Sequence, residues 1–142
     1  PMQDTCINNL TGKRWQKYPN PEQDGLYGVM MAVDLKTREV LWTQREAAPP
    51  ASGNLTTDGD LLFTGSIDRW FKAVDQASGE VLWRQRLDNG PSSYPITYRV
   101  DGRQYVAIAT NAGSYHANGM ERVSGITNPP SGATLWVFAL PE

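Results

Sequence analysis

Few side chains in this sequence can do chemistry. His116 is the only histidine and Cys6 the only cysteine. A lone cysteine cannot form a disulfide within the chain, and Cys6 reads as a small buried apolar residue. No Cys/His cluster has metal-ligand spacing. No nucleophile–base arrangement or phosphate loop is present. His116 stands beside Tyr115 in a polar stretch, where a single histidine is first of all solvated. Asp34 and Asp75 each follow an apolar run. At such a place a carboxylate accepts backbone N–H groups in a tight turn. None of these residues makes a catalytic centre alone, so the elements that position them carry the reading.

Bulk properties narrow the class. The chain has 142 residues, 39% apolar and 20% charged, with a net charge of −2. This is the composition of a globular domain. The 13 basic residues are scattered, which argues against a nucleic-acid or anionic membrane surface. No apolar run approaches the roughly 20 residues that span a bilayer. Thirteen glycines, ten prolines and five tryptophans point to many short strands joined by turns.

A repeat organises those strands. Ala32-Val33-Asp34-Leu35-Lys36-Thr37-Arg38-Glu39-Val40-Leu41-Trp42 recurs 41 residues later as Ala73-Val74-Asp75-Gln76-Ala77-Ser78-Gly79-Glu80-Val81-Leu82-Trp83, with seven of eleven positions identical. A period of about 40–45 residues is that of a four-stranded propeller blade. Gly79 supplies a positive φ at the turn; Arg38 replaces it in the first copy, so that turn is expected to be strained or differently shaped. Trp42 and Trp83 offer large apolar area and one N–H donor each and are read as mortar between blades. Trp70 is read as blade packing rather than substrate wall.

The repeat and its flanks predict strands at 28–34, 39–44, 53–57, 61–65, 69–75, 80–87, 94–99, 104–110 and 134–140. The fold class is all-β, a partial β-propeller with one full and two partial blades. Residues 111–133 form a long loop rich in Gly, Ser, Asn and Pro, a length that usually signals function. A propeller closes with about four to eight blades, and an open arc exposes strand edges and apolar faces. We therefore expect 1–142 to be the C-terminal blades of a larger propeller, completed by the same polypeptide or a companion chain, and to aggregate when alone.

The matching text is Gly28 to Trp42, Gly53 to Trp83, and Tyr94 to Tyr98 followed by Asp101-Gly102-Arg103-Gln104-Tyr105-Val106-Ala107-Ile108. On these residues the chain resembles the C-terminal part of quinoprotein alcohol dehydrogenases of the methanol and ethanol dehydrogenase type. The resemblance covers nearly the whole chain. It implies a propeller of eight blades with pyrroloquinoline quinone (PQQ) on its axis. It also implies a calcium or lanthanide ion polarising the quinone, an aspartate base acting on an alcohol, a cytochrome c acceptor and a periplasmic location. The metal ligands and the base lie in earlier blades of that family. No residue here matches them, so this chain alone is expected to be inactive and to supply cofactor walls and blade closure.

The resemblance brings two cofactor-contacting stretches into this chain. Family members often carry a Trp before the glycines leading into the strand at Gly53, where this chain has Ala51-Ser52-Gly53. They also carry a Trp in the loop after the Tyr105–Ile108 strand, where this chain has Asn111-Ala112-Gly113-Ser114-Tyr115. Ser52, Gly53, Asn111, Gly113 and Tyr115 are thus the implied cofactor contacts, with backbone N–H groups near Gly113 donating to a quinone carboxylate. His116 is placed at the substrate entrance. The departures from Trp suggest a subfamily other than methanol dehydrogenase. The alternative function is a non-catalytic PQQ-repeat scaffold of the outer-membrane assembly type, against which the long 111–133 loop argues.

Overall fold

The computed structural model describes residues 5–7, 14–16, 26–111 and 132–140. Eleven strands account for the regular structure of these residues, with no helix among them: β1 (Thr5–Ile7), β2 (Arg14–Gln16), β3 (Gly28–Val33), β4 (Val40–Glu46), β5 (Leu55–Thr56), β6 (Leu61–Gly65), β7 (Trp70–Asp75), β8 (Val81–Arg86), β9 (Ile96–Val100), β10 (Arg103–Asn111) and β11 (Ala133–Ala139). All pairings are antiparallel. The sheets run β1-β2, β3-β4, β5-β6-β7-β8 and β9-β10-β11. The complete blade is β5 to β8; β9 to β11 form a three-stranded sheet after it.

Each of the nine sequence-derived strands is present. The largest difference is β5, where only Leu55 and Thr56 pair, against Phe63 and Leu62. The chain ahead of them is held by other contacts, described below.

The two repeat copies fold alike in detail. Asp34 accepts from the Lys36 and Thr37 amides at 2.7 and 3.0 Å, and Asp75 from Ala77 and Ser78 at 3.1 and 2.7 Å. The Arg38 amide donates to Asp34 O at 2.8 Å and the Gly79 amide to Asp75 O at 2.9 Å. Just before each turn the register shifts once, between Ala32 and Val33 and between Ala73 and Val74. Arg38 adopts φ 62° where Gly79 adopts φ 78°. The first turn therefore keeps its shape, and Arg38 carries the left-handed strain that glycine avoids.

The blades meet through unlike surfaces. Between the full blade and β9–β11 lies the main core: Phe63, Phe71, Ala73, Leu87, Val106 and Ile108, with Trp136 and Phe138 packed against it. The Phe71 ring lies 6.2 Å from Trp83 and 5.8 Å from Phe138, and Trp83 meets Phe138 edge-on at 5.0 Å. Between β3-β4 and the full blade the apolar cluster is only Ala48 and Ile67, flanked by Tyr27 and Ala51. There Trp42 bridges the blades: its indole donates to Gln76 O at 2.8 Å, and Gln44 Nε2 donates to Gly79 O. Gly79 must lack a side chain, because a Cβ would stand 2.7 Å from the Trp42 ring. Apolar side chains stay exposed on the outer strands, including Leu41, Leu82, Leu135 and Val137, as an open arc of blades requires.

Candidate functional site

Two loops converge at one end of the blades, and they are copies of one another. Residues 49–54 lead from β4 into β5, and residues 90–95 lead from β8 into β9. Pro50 bridges to Ser66 and Pro91 to Thr110. The Gly65 amide donates to Ser52 Oγ at 2.7 Å, and that hydroxyl donates to Gly53 O at 2.8 Å. In the next blade the Ala109 amide donates to Ser93 Oγ at 2.9 Å, and that hydroxyl donates to Tyr94 O at 3.2 Å. Ser52 and Ser93 are 41 residues apart in the sequence, and each ties its loop to the second strand of its blade. Their hydroxyls fix the backbone that faces the end of the arc.

The same spacing aligns Gly53 with Tyr94, and these two residues touch. A Cβ on Gly53 would stand 1.8 Å from Tyr94 Cδ1. The tyrosine ring of one blade therefore lies against the bare backbone of its counterpart in the neighbouring blade. The other side of the ring is open, and Tyr94 is 78% exposed. Pro91 seals the seam below, 2.5 Å from the position a Cβ would take on Gly65.

Of the sequence-derived contacts, Ser52, Gly53 and Asn111 fall at this one end. The Asn111 amide donates to Gly90 O at 3.2 Å and its side chain is exposed. Gly113, Tyr115 and His116 lie outside the described residues. Tyr94 was legible only as the start of a strand. The signal that exposes it is the 41-residue offset, which pairs it with Gly53.

Behind this end stands a charged hinge. Asp88, between β8 and the converging loop, accepts from Thr110 Oγ1 at 2.7 Å, Trp136 Nε1 at 2.8 Å and the Asn89 amide at 2.8 Å, and also from Thr134 Oγ1. Burial opposes its ionisation, but the bonds from Thr134, Trp136, Thr110 and Asn89 outweigh it and bring the carboxyl down to about 2. Four donors that favour the charged form act together here. At the other junction Glu46 pairs with Lys72 at 2.5 Å. Asp34 and Asp75 are also lowered, by the Thr37 and Lys36 amides and by the Ser78 side chain and amide; they sit in exposed turns and face no site.

The described residues contain no group of three metal-ligating side chains. The converging loops, Pro50 to Asn54 and Gly90 to Tyr94, carry no acidic side chain. They offer an open aromatic ring and, nearby, the exposed amide of Asn111. The open aromatic ring can pack against a planar group; the loops themselves carry no cationic side chain.

Antiparallel sheets repeating every 41 residues beside converging loops are the blades of a β-propeller. The chain belongs to the family described as the glucose/ethanol/alcohol dehydrogenase β-propeller domain, whose model matches residues 1–106. It is 36% identical over 120 residues to the quinoprotein ethanol dehydrogenase of Pseudomonas aeruginosa, covering 84% of this chain and 19% of that protein. It is 34% identical over 128 residues to subunit 1 of the methanol dehydrogenase (cytochrome c) of Methylobacterium organophilum, covering 87% of this chain and 20% of that protein. Among solved structures, a europium-containing methanol dehydrogenase superposes with a TM-score of 0.67 at 33% identity, over 81% of this chain and 23% of that one. The chain thus spans about a fifth of the length of these curated relatives. Relatives named as dehydrogenases do not favour the scaffold alternative.

Proposed function

We propose that this chain forms blades of a periplasmic quinoprotein dehydrogenase that oxidises an alcohol and passes the electrons to a cytochrome c. The observation that carries the reading is the family match over residues 1–106, joined to relatives whose names specify quinoprotein and alcohol chemistry. The rest of the propeller, with the catalytic base and the ligands of a calcium or lanthanide ion, belongs to blades other than these. A lanthanide is suggested by the europium in the name of the structural relative.

PQQ, when bound, supplies a two-electron acceptor for the alcohol. The residues here do simpler work. Ser52 and Ser93 lock the converging loops to their blades. Gly53 and its neighbours form a smooth wall facing the bound group. Asn111, with Gly113, Tyr115 and His116 following it, extends that wall toward the substrate side; Tyr115 provides an aromatic edge and His116 the entrance. Asp88 keeps the last blade in place behind them.

The test is reconstitution of the full-length protein from its metal-free and quinone-free form. With PQQ and either calcium or a lanthanide, a primary alcohol should reduce an artificial electron acceptor. Omission of the quinone should abolish the reaction. Equal turnover with and without quinone would overturn the proposal.

A further inference from the structure

Lys72 is the one ionisable side chain buried among the described residues. It stands on β7 between Thr64 of β6 and Arg84 of β8, and its ammonium reaches out of the blade to donate to Glu46 Oε2 at 2.5 Å. Taking two charges out of water is costly, so a buried ion pair often stabilises a fold no more than apolar side chains of similar volume would. Its best-attested contribution is direction and register. The place of Glu46 shows what is held in register. Glu46 ends β4, just ahead of the converging loop. The chain turns tightly there: a Cβ on Gly28, which pairs with Glu46, would stand 2.2 Å from Ala48 O. The loop then rests on the full blade. The Ile67 amide donates to Pro49 O at 3.1 Å and the Ala51 amide to Gly65 O at 2.8 Å, while the Gly65 amide donates to Ser52 Oγ at 2.7 Å. Trp42 and Gln44, the other polar side chains of β4 that cross this junction, reach Gln76 O and Gly79 O at the opposite end of the blade. At the convergent end the buried apolar contact is Ala48 with Ile67, a small contact without direction. Lys72 and Glu46 supply the direction.

We infer that Lys72 is a positioning residue for the cofactor: through Glu46 it sets the register of the loop that carries Ser52 and Gly53, two of the sequence-derived cofactor contacts. The inference rests on the quinoprotein reading. Lys72 acts from behind the loop, inside the seam between β3-β4 and the full blade. Its consequence is that stability and cofactor affinity separate. Removing one charge leaves the other buried and unpaired, which destabilises the fold; removing both restores stability. Neither change restores the direction of the tie, so the loop stays out of register in both.

The experiment titrates PQQ into the full-length apoprotein and follows the quinone absorbance directly, without turnover, beside the thermal midpoint of each apoprotein. Wild type, Lys72→Met, Lys72→Met/Glu46→Gln and Gly79→Ala are compared. Lys72→Met should weaken binding by about tenfold, the lower end of what outer partners of metal sites cost when replaced. The double variant should return the midpoint close to wild type and leave the affinity about tenfold low. Gly79→Ala disturbs the same junction at its far end, so it should lower the midpoint and keep the affinity within about twofold. Should Lys72→Met not fold, the double variant carries the comparison. Affinity that recovers together with stability in the double variant would overturn the inference. So would wild-type affinity in Lys72→Met, or a loss in Gly79→Ala equal to that in Lys72→Met. Each of these leaves the quinoprotein reading intact. Absence of quinone binding by wild type itself would overturn that reading, and the positioning role with it.

Discussion

The two junctions flanking the complete blade solve the same problem with different materials. Toward β3-β4 the contact is polar and sparse: the Lys72–Glu46 pair, the Trp42 indole on Gln76 O, and Gln44 on Gly79 O. Toward β9–β11 it is aromatic and dense, with Phe71, Trp83 and Phe138 in mutual ring contact. Both junctions nevertheless place one carboxylate at the end of an outer strand against a donor on the third strand of the next sheet: Glu46 against Lys72, and Asp88 against Trp136. In one the donor is a cation, in the other a neutral indole. The difference teaches that both junctions carry a carboxylate tie near the end of the last strand of a sheet, one residue out of the 41-residue register and built from unlike partners. A neutral donor leaves the Asp88 charge to be satisfied by more partners, which Thr110, Thr134 and the Asn89 amide provide.

The most damaging way to test the contrast is to empty the aromatic junction. Phe71 is fully buried, and Phe71→Ala should cost about 3–5 kcal/mol in a denaturant titration of the full-length protein. Ala48, the buried residue of the polar junction, offers no comparable volume, so Ala48→Gly should cost about 1 kcal/mol or less. Equal losses would show that the two junctions contribute alike, against the structure.

Next in size is the Asp88 tie. Asp88→Ala strands an indole N–H and two hydroxyls at the seam, at a cost of about 2–3 kcal/mol. The pH dependence follows from the lowered carboxyl. Its folded value is about 2 against an ordinary 3.8. The stabilisation is therefore complete above about pH 4 and is lost as pH falls through about 2. After allowance for solvent screening it amounts to about 1 kcal/mol. Stability of Asp88→Asn, measured by denaturant between pH 5 and 2, should fall less steeply than that of wild type. Parallel curves would remove Asp88 from this role.

The polar tie is weaker. Glu46 is half-buried, and an ion pair of this kind contributes about 1 kcal/mol or less when water reaches it. Lys72→Met should therefore cost about 1 kcal/mol, and the double variant Lys72→Met/Glu46→Gln should recover most of it, because no unpaired carboxylate then remains. A double-mutant cycle on the unfolding midpoint measures the coupling, and a value above about 3 kcal/mol would make this junction the stronger one.

Sequence and structure agree where local chemistry and the repeat act together. Nine strands, the Asp34 and Asp75 turns and the bridging role of Trp42 were legible, because turn residues and alternating apolar runs are short-range signals. The Asp88 tie was not. Its side-chain partners lie 22 to 48 residues away, and Asp-Asn-Gly reads as a turn whatever its carboxylate touches. Tyr94 was hidden for a similar reason: its backing comes from another blade, and only the offset of the repeat connects it to Gly53.

The last contrast separates the two copies of the repeated turn. Arg38 and Gly79 occupy equivalent left-handed positions, with φ of 62° and 78° and the same hydrogen bonds around them. Only Gly79 lies under a neighbour's ring: a Cβ there would meet Trp42 at 2.7 Å. Arg38 is exposed and carries the strain of a side chain in left-handed backbone, about 1 kcal/mol. Arg38→Gly should relieve that strain, while the added freedom of the unfolded chain offsets part of the gain. The net is a stabilisation of about 0.5 kcal/mol. Gly79→Ala should destabilise by about 2 kcal/mol, from backbone strain and the displaced indole together. Urea midpoints of the two variants should move in opposite directions. Movement in the same direction would mean that the turns differ in more than the ring packed on one of them.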